Sequence, residues 1–202
     1  MMKRVENCGV IILAAGQSKR LGTPKQLLPI EGKTLLNRLI DSVFQAGSFP
    51  VTVVLGAHAE SITATLGDVP VQVVMNQLWE EGMASSIRLG LQTAVQNNPP
   101  MDGVLLLVCD QPFVDAETIQ QLLRLQHESG LPIAACSYAN ILGTPAVFHQ
   151  SMFPHLLTLE GDRGAKKIMK EKESEVAKLH FQEGTIDIDT QEDYQRLVDR
   201  IK

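Results

Sequence analysis

The chain alternates short apolar runs with longer stretches in which apolar residues recur at helical spacing. Val and Ile dominate the runs, and most runs are continuous, which is typical of strands that are covered on both faces. We predict strands over 10–13, 51–55, 71–75, 104–109 and 133–137, and helices over 35–45, 59–66, 84–96 and 116–128. Strands that alternate with helices in this way predict an α/β fold with a mainly parallel sheet and right-handed crossovers.

The last third of the chain is less regular than the rest. We expect a strand over 144–149, a cationic helix over 161–172 and a closing helix over 191–201 that packs on the sheet. The Pro99-Pro100 pair indicates a turn rather than a domain boundary. Since no repeat, linker or low-complexity tract divides the sequence, we predict one domain over residues 1–202.

Composition fits one domain with a sizeable core and limits the classes of partner. The chain has 202 residues, of which 44% are hydrophobic, and its net charge is −5. We do not expect an acidic chain of this kind to bind nucleic acid or membrane surfaces. The three cysteines, Cys8, Cys109 and Cys136, lack metal-ligand spacing and lie in or beside apolar runs, so we expect buried thiols in a reducing compartment. No apolar run approaches membrane-spanning length and the N-terminus has no signal-peptide character, so we expect a cytoplasmic protein.

The loop after the first predicted strand carries the strongest candidate chemistry. Residues 13–25 combine glycines and small residues with the cationic side chains of Lys19, Arg20 and Lys25. Glycines let the backbone approach a phosphate closely, free N–H groups donate to its oxygens, and cations neutralise its charge. The loop is not a Walker A motif, since Leu21 and Thr23 flank Gly22, and the Rossmann glycine pattern is absent as well. We therefore predict a triphosphate site of another type.

Asp110 follows the most apolar predicted strand directly. In an open parallel sheet, ligands bind beyond the carboxyl ends of the strands, so a carboxylate there is suited to hold Mg²⁺ against a substrate phosphate. The alternative is that Asp110 caps the next helix. Asp115 is better placed for that cap, as Thr34 is for the helix over 35–45, so we favour Asp110 as a metal ligand.

A second carboxylate is expected near Asp110, because one carboxylate rarely holds Mg²⁺ well. Asp187 and Asp189 share one side of the chain if their segment is extended. Asp189 is also suited to cap the closing helix together with Thr190. We favour Asp187 as the ligand and Asp189 as a cap or a supporting group, and both remain candidates.

Three segments together resemble the glycosyltransferase-A-like nucleotidyltransferases, and within them the MobA-like NTP transferases. They are residues 13–25, 109–112 and 187–190, and further similar pieces are Asn76 with 79–86, 143–145 and 161–165. Within this group the chain is most similar to the molybdenum cofactor cytidylyltransferases. Ala15 stands where the guanylyltransferases have glycine, which the resemblance links to cytosine selection. Ala84 departs from the glycine found in many relatives, which bears on the shape of the nucleotide or pterin side.

The resemblance implies a fold and a reaction. The fold is a single-domain three-layer α/β/α sandwich with a mainly parallel, Rossmann-like sheet of the nucleotide-diphospho-sugar transferase type. The reaction is the Mg²⁺-dependent transfer of CMP from CTP onto a phosphorylated acceptor, the molybdenum-bound pterin (molybdopterin), with release of pyrophosphate. A molybdoenzyme or its chaperone is a possible partner. Two alternatives stay open: a nucleotidyltransferase for a sugar phosphate or methylerythritol phosphate, and a non-catalytic maturation protein that binds nucleotide or molybdenum cofactor.

The resemblance also implies roles for individual residues. Lys25, Arg20 and Asp110 are the implied catalytic residues, with Lys25 and Arg20 on the β- and γ-phosphates. The implied metal ligands are Asp110, Asp187 and Asp189. The implied nucleotide-binding residues are Leu13, Ala14, Ala15, Gly16, Gln17, Ser18, Arg20, Lys25, Ser85 and Ser86, and the implied acceptor-binding residues are Asn76, Gly143 and Arg163.

Overall fold

A computed structural model of the protein describes residues 2–98 and 100–201 as one α/β domain. Pro99, half of the predicted turn, and the end residues of the predicted 1–202 domain, Met1 and Lys202, lie outside the described residues. The strands are β1 (Cys8–Ala14), β2 (Pro29–Ile30), β3 (Lys33–Thr34), β4 (Val51–Leu55), β5 (Gln72–Met75), β6 (Gly103–Val108), β7 (Ile133–Tyr138), β8 (Ile141–His149) and β9 (Val176–His180). The helices are α1 (Leu35–Ala46), α2 (Ala59–Leu66), α3 (Met83–Asn97), α4 (Ala116–Ser129), α5 (Phe153–Leu157), α6 (Lys166–Glu171) and α7 (Gln191–Ile201). Short 3₁₀ turns lie at Lys25–Leu27, Trp79–Glu81, Gln150–Met152, Glu173–Glu175 and Gln182–Thr185.

The central sheet has seven strands in the order β5-β4-β1-β6-β8-β7-β9. Strands β5, β4, β1 and β6 are parallel to one another, and β9 is parallel to β7. Strand β8 runs antiparallel to both β6 and β7. Leu13 of β1 lies opposite Val108 of β6, so both strands end at the same edge of the sheet. That edge is where ligands bind in open α/β sheets.

Helices cover both faces of the sheet. Val10 and Ile12 of β1 point into a core formed with α1, α2, α4 and α7, while Ile11 and Leu13 point into a second core formed with α3, α5 and α6. This explains why the predicted strands are continuously apolar: each residue faces a helix layer. Burial of one Ile or Val side chain stabilises the fold by about 1.5–3 kcal/mol. The predicted three-layer α/β/α sandwich is therefore confirmed.

Both predicted helix caps are confirmed. The side-chain oxygen of Thr34 accepts a hydrogen bond from the backbone N–H of Asn37 at 3.2 Å, at the start of α1. Asp115 accepts from the backbone N–H of Thr118 at 2.8 Å, at the start of α4. Asp115, rather than Asp110, therefore caps α4, and the carboxylate of Asp110 remains available at the end of β6.

The predicted helix over 161–172 is wrong in extent. Only Lys166–Glu171 is helical, because Gly161 (φ 69°) and Gly164 (φ 54°) adopt the left-handed region and form a loop before the helix. The strand predicted over 144–149 begins earlier, at Ile141. Strand β9 was not predicted from the sequence; its outer half is exposed, so its apolar pattern is weak.

The expected burial of the three cysteines is confirmed. The three cysteines are buried free thiols, and burial raises the pKa of each one above its ordinary value. In residues 2–98 and 100–201 no helix has the length and apolar character needed to cross a membrane.

Candidate active site

The loop after β1 is built around Ser18. The backbone N–H groups of Leu21 and Gly22 donate to the carbonyl of Ser18, at 3.1 and 3.3 Å, and close a tight turn. Ser18 has φ 56° and Gly22 has φ 73°, both in the left-handed region. The Ser18 hydroxyl oxygen also accepts from the backbone N–H of Lys25 at 3.0 Å, so it fixes the start of the next turn and directs Lys25 into the site.

Buried Gln26 stabilises the same loop through hydrogen bonds. It was not identified from the sequence. Its Nε2 donates to the carbonyl oxygens of Ala14, at 2.7 Å, and Gly16, at 3.1 Å. The residue is only 1% exposed. Since both partners are acceptors, the amide nitrogen must face them, and this contact shapes the backbone between the two carbonyls. A glutamine beside two leucines gives no sequence signal that distinguishes it from a surface residue.

Lys25 joins three distant segments of the chain. Its Nζ donates to Asp110 and to Asp189, at 3.0 Å each, and Arg20 donates to the other oxygen of Asp189 at 2.7 Å. Burial would lower the pKa of Lys25, but the two carboxylates outweigh burial and raise it. Burial would raise the pKa of Asp189, but the hydrogen bond and charge of Lys25, together with Arg20, lower it. The predicted catalytic residues Lys25, Arg20 and Asp110 thus lie in one ionic network.

Asp187 lies beside Asp110 and forms no ion pair with any residue in 2–98 or 100–201, although the charges of Lys166 and Lys25 act on it from a distance. The backbone N–H of Ile188 donates to the carbonyl of Asp110 at 3.1 Å, which places residues 187–189 against the end of β6. Burial and the negative charge of Asp110 raise the pKa of Asp187 to about 6. Both carboxylates line one small cavity of about 90 Å³.

Thr190, not Asp189, caps α7. The Thr190 hydroxyl oxygen accepts from the backbone N–H of Asp193 at 3.2 Å, and the Asp193 carboxylate accepts from the backbone N–H of Thr190 at 2.9 Å. This is a reciprocal capping box with aspartate at the third helical position. The carboxylate of Asp189 is free to bind Lys25 and Arg20 because Thr190 supplies the cap.

A pocket of about 520 Å³ opens above the loop and Asp110. The predicted residues that line it are Leu13, Ala14, Ala15, Gly16, Gln17, Ser18, Lys25, Ser86 and Asp110. Its lining also includes Trp79, Glu80, Gly82, Met83 and Asp162, to which no individual site role was assigned from the sequence. Arg20 and Ser85 lie outside this lining, Arg20 in the ionic network and Ser85 below the pocket. The pocket therefore combines backbone, cations and carboxylates from four segments.

Asn76 supports the pocket wall from below. It is 3% exposed, and its amide nitrogen donates to the hydroxyl oxygens of Ser85, at 2.8 Å, and Ser86, at 2.9 Å. Its carbonyl oxygen accepts from the backbone N–H of Leu78 at 2.9 Å. Every polar atom of the side chain is engaged, so Asn76 positions the start of α3. Gly82 precedes that helix with φ 102°, and a Cβ there would collide with the 161–162 loop.

Gly143 and Arg163, two of the predicted acceptor-binding residues, line neither cavity. Gly143 packs against the hydroxyl of Tyr138, where a Cβ would clash. Arg163 is exposed and has no ion pair within the described part of the chain. Direct acceptor contacts by these residues and by Asn76 remain predictions.

The carboxylates suit a cation whose remaining ligands come from the substrate. In the described residues, no three or more His, Cys, Asp or Glu side chains form a ready metal site. Mg²⁺ is usually held by one or two carboxylates and by substrate phosphates rather than by a protein cage. Asp110 and Asp187 fit that requirement, because burial and the repulsion from Asp110, which together raise the pKa of Asp187, both favour a cation beside the two carboxylates. Asp189 already forms ion pairs with two cationic side chains, so it is less suited to bind a metal ion.

Comparison with known proteins places the chain in a family. The model of the MobA-like NTP transferase domain matches residues 10–176. Nicotine blue oxidoreductase of Paenarthrobacter nicotinovorans is 32% identical over 93% of this chain and 95% of its own length. The crystal structure of Rv0371c from Mycobacterium tuberculosis is 32% identical, has a TM-score of 0.83, and matches 96% of this chain and 97% of its own. A second structure of Rv0371c, in complex with manganese, is 29% identical with a TM-score of 0.79, and covers 96% of this chain and 99% of its own. The chain belongs to the MobA-like NTP transferase family and is an enzyme of the nucleotidyltransferase class.

Proposed function

We propose that the protein transfers CMP from CTP onto a phosphorylated acceptor, the molybdenum-bound pterin, with Mg²⁺ as its cofactor. The observation that carries nucleotidyl transfer is the ionic network of Lys25, Asp110 and Asp189 at the mouth of a pocket lined by the loop after β1. It combines a cation for phosphate oxygens with carboxylates for a metal. The choice of cytidine rests on Ala15, and the choice of acceptor rests on the resemblance described above.

The reaction needs positioning and charge neutralisation more than covalent chemistry by the protein. A phosphate oxygen of the acceptor forms a bond to the α-phosphorus of CTP, and the bond from that phosphorus to the β-phosphate oxygen breaks. Pyrophosphate leaves with the electron pair. A phosphate monoester is largely a dianion at neutral pH, so its attacking oxygen needs no general base.

Each residue of the network has a proposed task. Lys25 leaves its carboxylate partners and binds the β- and γ-phosphates, where it stabilises the charge that grows on the leaving group. Arg20 assists from the edge of the pocket. Asp110 and Asp187 would hold Mg²⁺, which would supply charge neutralisation at the α-phosphate. The related Rv0371c structure in complex with manganese supports a divalent cation as cofactor.

The test measures pyrophosphate release with Mg²⁺ and molybdenum-loaded pterin, using CTP, GTP, ATP and UTP in turn. We expect release with CTP and its loss in Asp110→Asn, a substitution of nearly equal size that removes the charge. Release with another nucleotide would overturn the cytidine assignment. Turnover only with a sugar phosphate or methylerythritol phosphate would overturn the pterin assignment. Stabilisation by CTP without turnover on any acceptor would favour the non-catalytic maturation protein.

One relative calls for an additional assay. Nicotine blue oxidoreductase carries the name of a redox enzyme and is 32% identical to this chain. The same preparation is therefore tested for oxidation of NADH and NADPH with a dye acceptor. We expect no oxidation, because the loop lacks the glycine pattern of dinucleotide-binding folds. Rapid dye reduction that survives Asp110→Asn would contradict the transferase proposal.

A further inference from the structure

A small cavity adjoins Asp110, and of the segment 13–25 only Leu13 is part of its lining. Its volume is about 90 Å³, and it shares Leu13, Met83, Val108 and Asp110 with the lining of the large pocket. An apolar cavity of roughly 150 Å³ is large enough to hold benzene, and this smaller cavity of about 90 Å³ is of a size for a small group such as one phosphate.

A chain of hydrogen bonds ends at this cavity with a free donor. The hydroxyl of Thr144 donates to Oε1 of Gln111 at 3.2 Å, and Nε2 of Gln111 donates to the Tyr138 oxygen at 3.3 Å. The same Nε2 faces the carbonyl of Gly184 at 3.5 Å, which confirms that the nitrogen lies on this side. Because the Tyr138 oxygen accepts this bond, its own proton is left to donate. Tyr138 is 8% exposed and lines the cavity.

The charges at the cavity come from three residues. Lys166, the first residue of α6, supplies the cation, and Asp110 and Asp187 supply two carboxylates. Lys167 follows on the same helix and both lysines are exposed, but of the two only Lys166 contributes to the lining of the cavity. Burial raises the pKa of Tyr138 to about 12, which keeps its hydroxyl protonated at neutral pH.

We propose that this cavity binds the phosphate monoester of the acceptor, through the hydroxyl of Tyr138 and the ammonium of Lys166. This rests on the nucleotidyl transfer proposed above. Asp110 lies in the wall shared by both cavities, so an acceptor phosphate and the α-phosphate of a bound nucleotide meet beside it. The pyrophosphate then leaves on the side of Lys25. The two carboxylates repel a phosphate, so acceptor binding requires Mg²⁺ as well as the two donors.

The test compares Lys166→Gln and Tyr138→Phe with Lys167→Gln as the matched control. The KM for the molybdenum-loaded pterin is expected to rise about tenfold or more in the first two variants, because each loses a hydrogen bond to a charged group. Their KM for CTP is expected to stay within about twofold of the wild type, since neither residue lines the large pocket. Inorganic phosphate, used as a competitor of the pterin, is expected to inhibit both variants more weakly. Lys167→Gln is expected to match the wild type.

Three results would overturn the proposal: an unchanged KM for the pterin, an equal rise for both substrates, or the same rise in Lys167→Gln. Circular dichroism and thermal unfolding show whether the Tyr138→Phe variant folds, and Lys166→Gln changes a residue on the surface. If the wild type shows no turnover, the nucleotidyl transfer proposal fails by itself. Calorimetric titration of inorganic phosphate with Mg²⁺ then still tests the cavity: Lys166→Gln weakens binding if the cavity holds phosphate, and equal binding refutes it.

Discussion

Replacing Asp187 with Asn is expected to stabilise the protein while it removes a proposed metal ligand. The carboxyl of Asp187 is poorly accommodated in the folded state, where burial and the neighbouring Asp110 raise its pKa to about 6. A folded-state pKa above the unfolded value means that ionisation costs more in the folded protein. At a pH above 6 the wild type bears this cost in full, and the amide does not.

The magnitude follows from the two pKa values. A carboxyl whose pKa rises from 3.8 to about 6 would cost the folded state about 3 kcal/mol if it were shielded from water. Asp187 is exposed to solvent, which screens much of this cost, so we expect Asp187→Asn to add about 1 kcal/mol to the free energy of unfolding at neutral pH. The gain shrinks as the pH falls through 6 and vanishes near 3.8, where both states hold the proton.

Asp189 provides a control of opposite sign. Burial would raise its pKa, but Lys25 and Arg20 lower it, so the ionised carboxylate stabilises the fold at any pH above its unfolded value. Asp189→Asn is expected to lose about 1 kcal/mol, and the loss is the same at about pH 5 and at about pH 7.5. Urea unfolding of the wild type and both variants at these two pH values, without metal, measures the differences. Destabilisation by Asp187→Asn at neutral pH, or a gain independent of pH, would refute the reasoning.

Three further predictions concern side chains with defined partners. Lys25→Met is expected to lower kcat by about 10²–10³, as measured by pyrophosphate release, with Lys33→Met unchanged because Lys33 pairs with an aspartate away from the site. Gln26→Met leaves two loop carbonyls without their donor, so we expect a roughly tenfold higher KM for the nucleotide and a stability loss of about 1–3 kcal/mol. Gln126→Met removes a fully buried amide that binds the backbone N–H of Val5 at the opposite edge of the sheet. We expect it to lower the free energy of unfolding by about 2–3 kcal/mol with kcat unchanged, and a loss of activity in the folded variant would contradict this placement.

The sequence predicted those parts of the fold that depend on local patterns. Strand β4 and helices α2 and α7 have the predicted bounds, because continuous apolar runs and helical spacing are local signals. The loop after β1 and the position of Asp110 were predictable for a related reason. In a parallel sheet the end of a strand fixes where its next residue lies, whatever the rest of the chain does.

Other features depend on contacts between distant residues, which one sequence does not encode locally. The helix over 161–172 was overestimated because Gly161 and Gly164 interrupt a pattern that otherwise suits a helix. The roles of Gln26 and Tyr138 depend on tertiary contacts: Gln26 donates to backbone carbonyls of the loop, and Tyr138 accepts from the amide of Gln111. For the acceptor side, the resemblance implied Arg163, which stays a prediction, and nothing in the sequence singled out Lys166, which lines the small cavity. Which cation of a basic segment lines a cavity depends on where the helix begins.

The contrast between Asp187 and Asp189 indicates where a side chain lowers the stability of this fold. They are the same residue type, two positions apart, yet the pKa of one is raised and that of the other is lowered. Burial raises the pKa of both carboxyls, but Lys25 and Arg20 overcome it at Asp189, whereas at Asp187 the charge of Asp110 adds to it. Selection for stability alone would replace Asp187 with a neutral residue, and such sites are characteristically ones where activity requires an unfavourable arrangement. The unfavourable carboxylate is the one that we propose as a metal ligand. A divalent cation bound there would relieve the repulsion between Asp187 and Asp110, so the arrangement that costs stability favours metal binding.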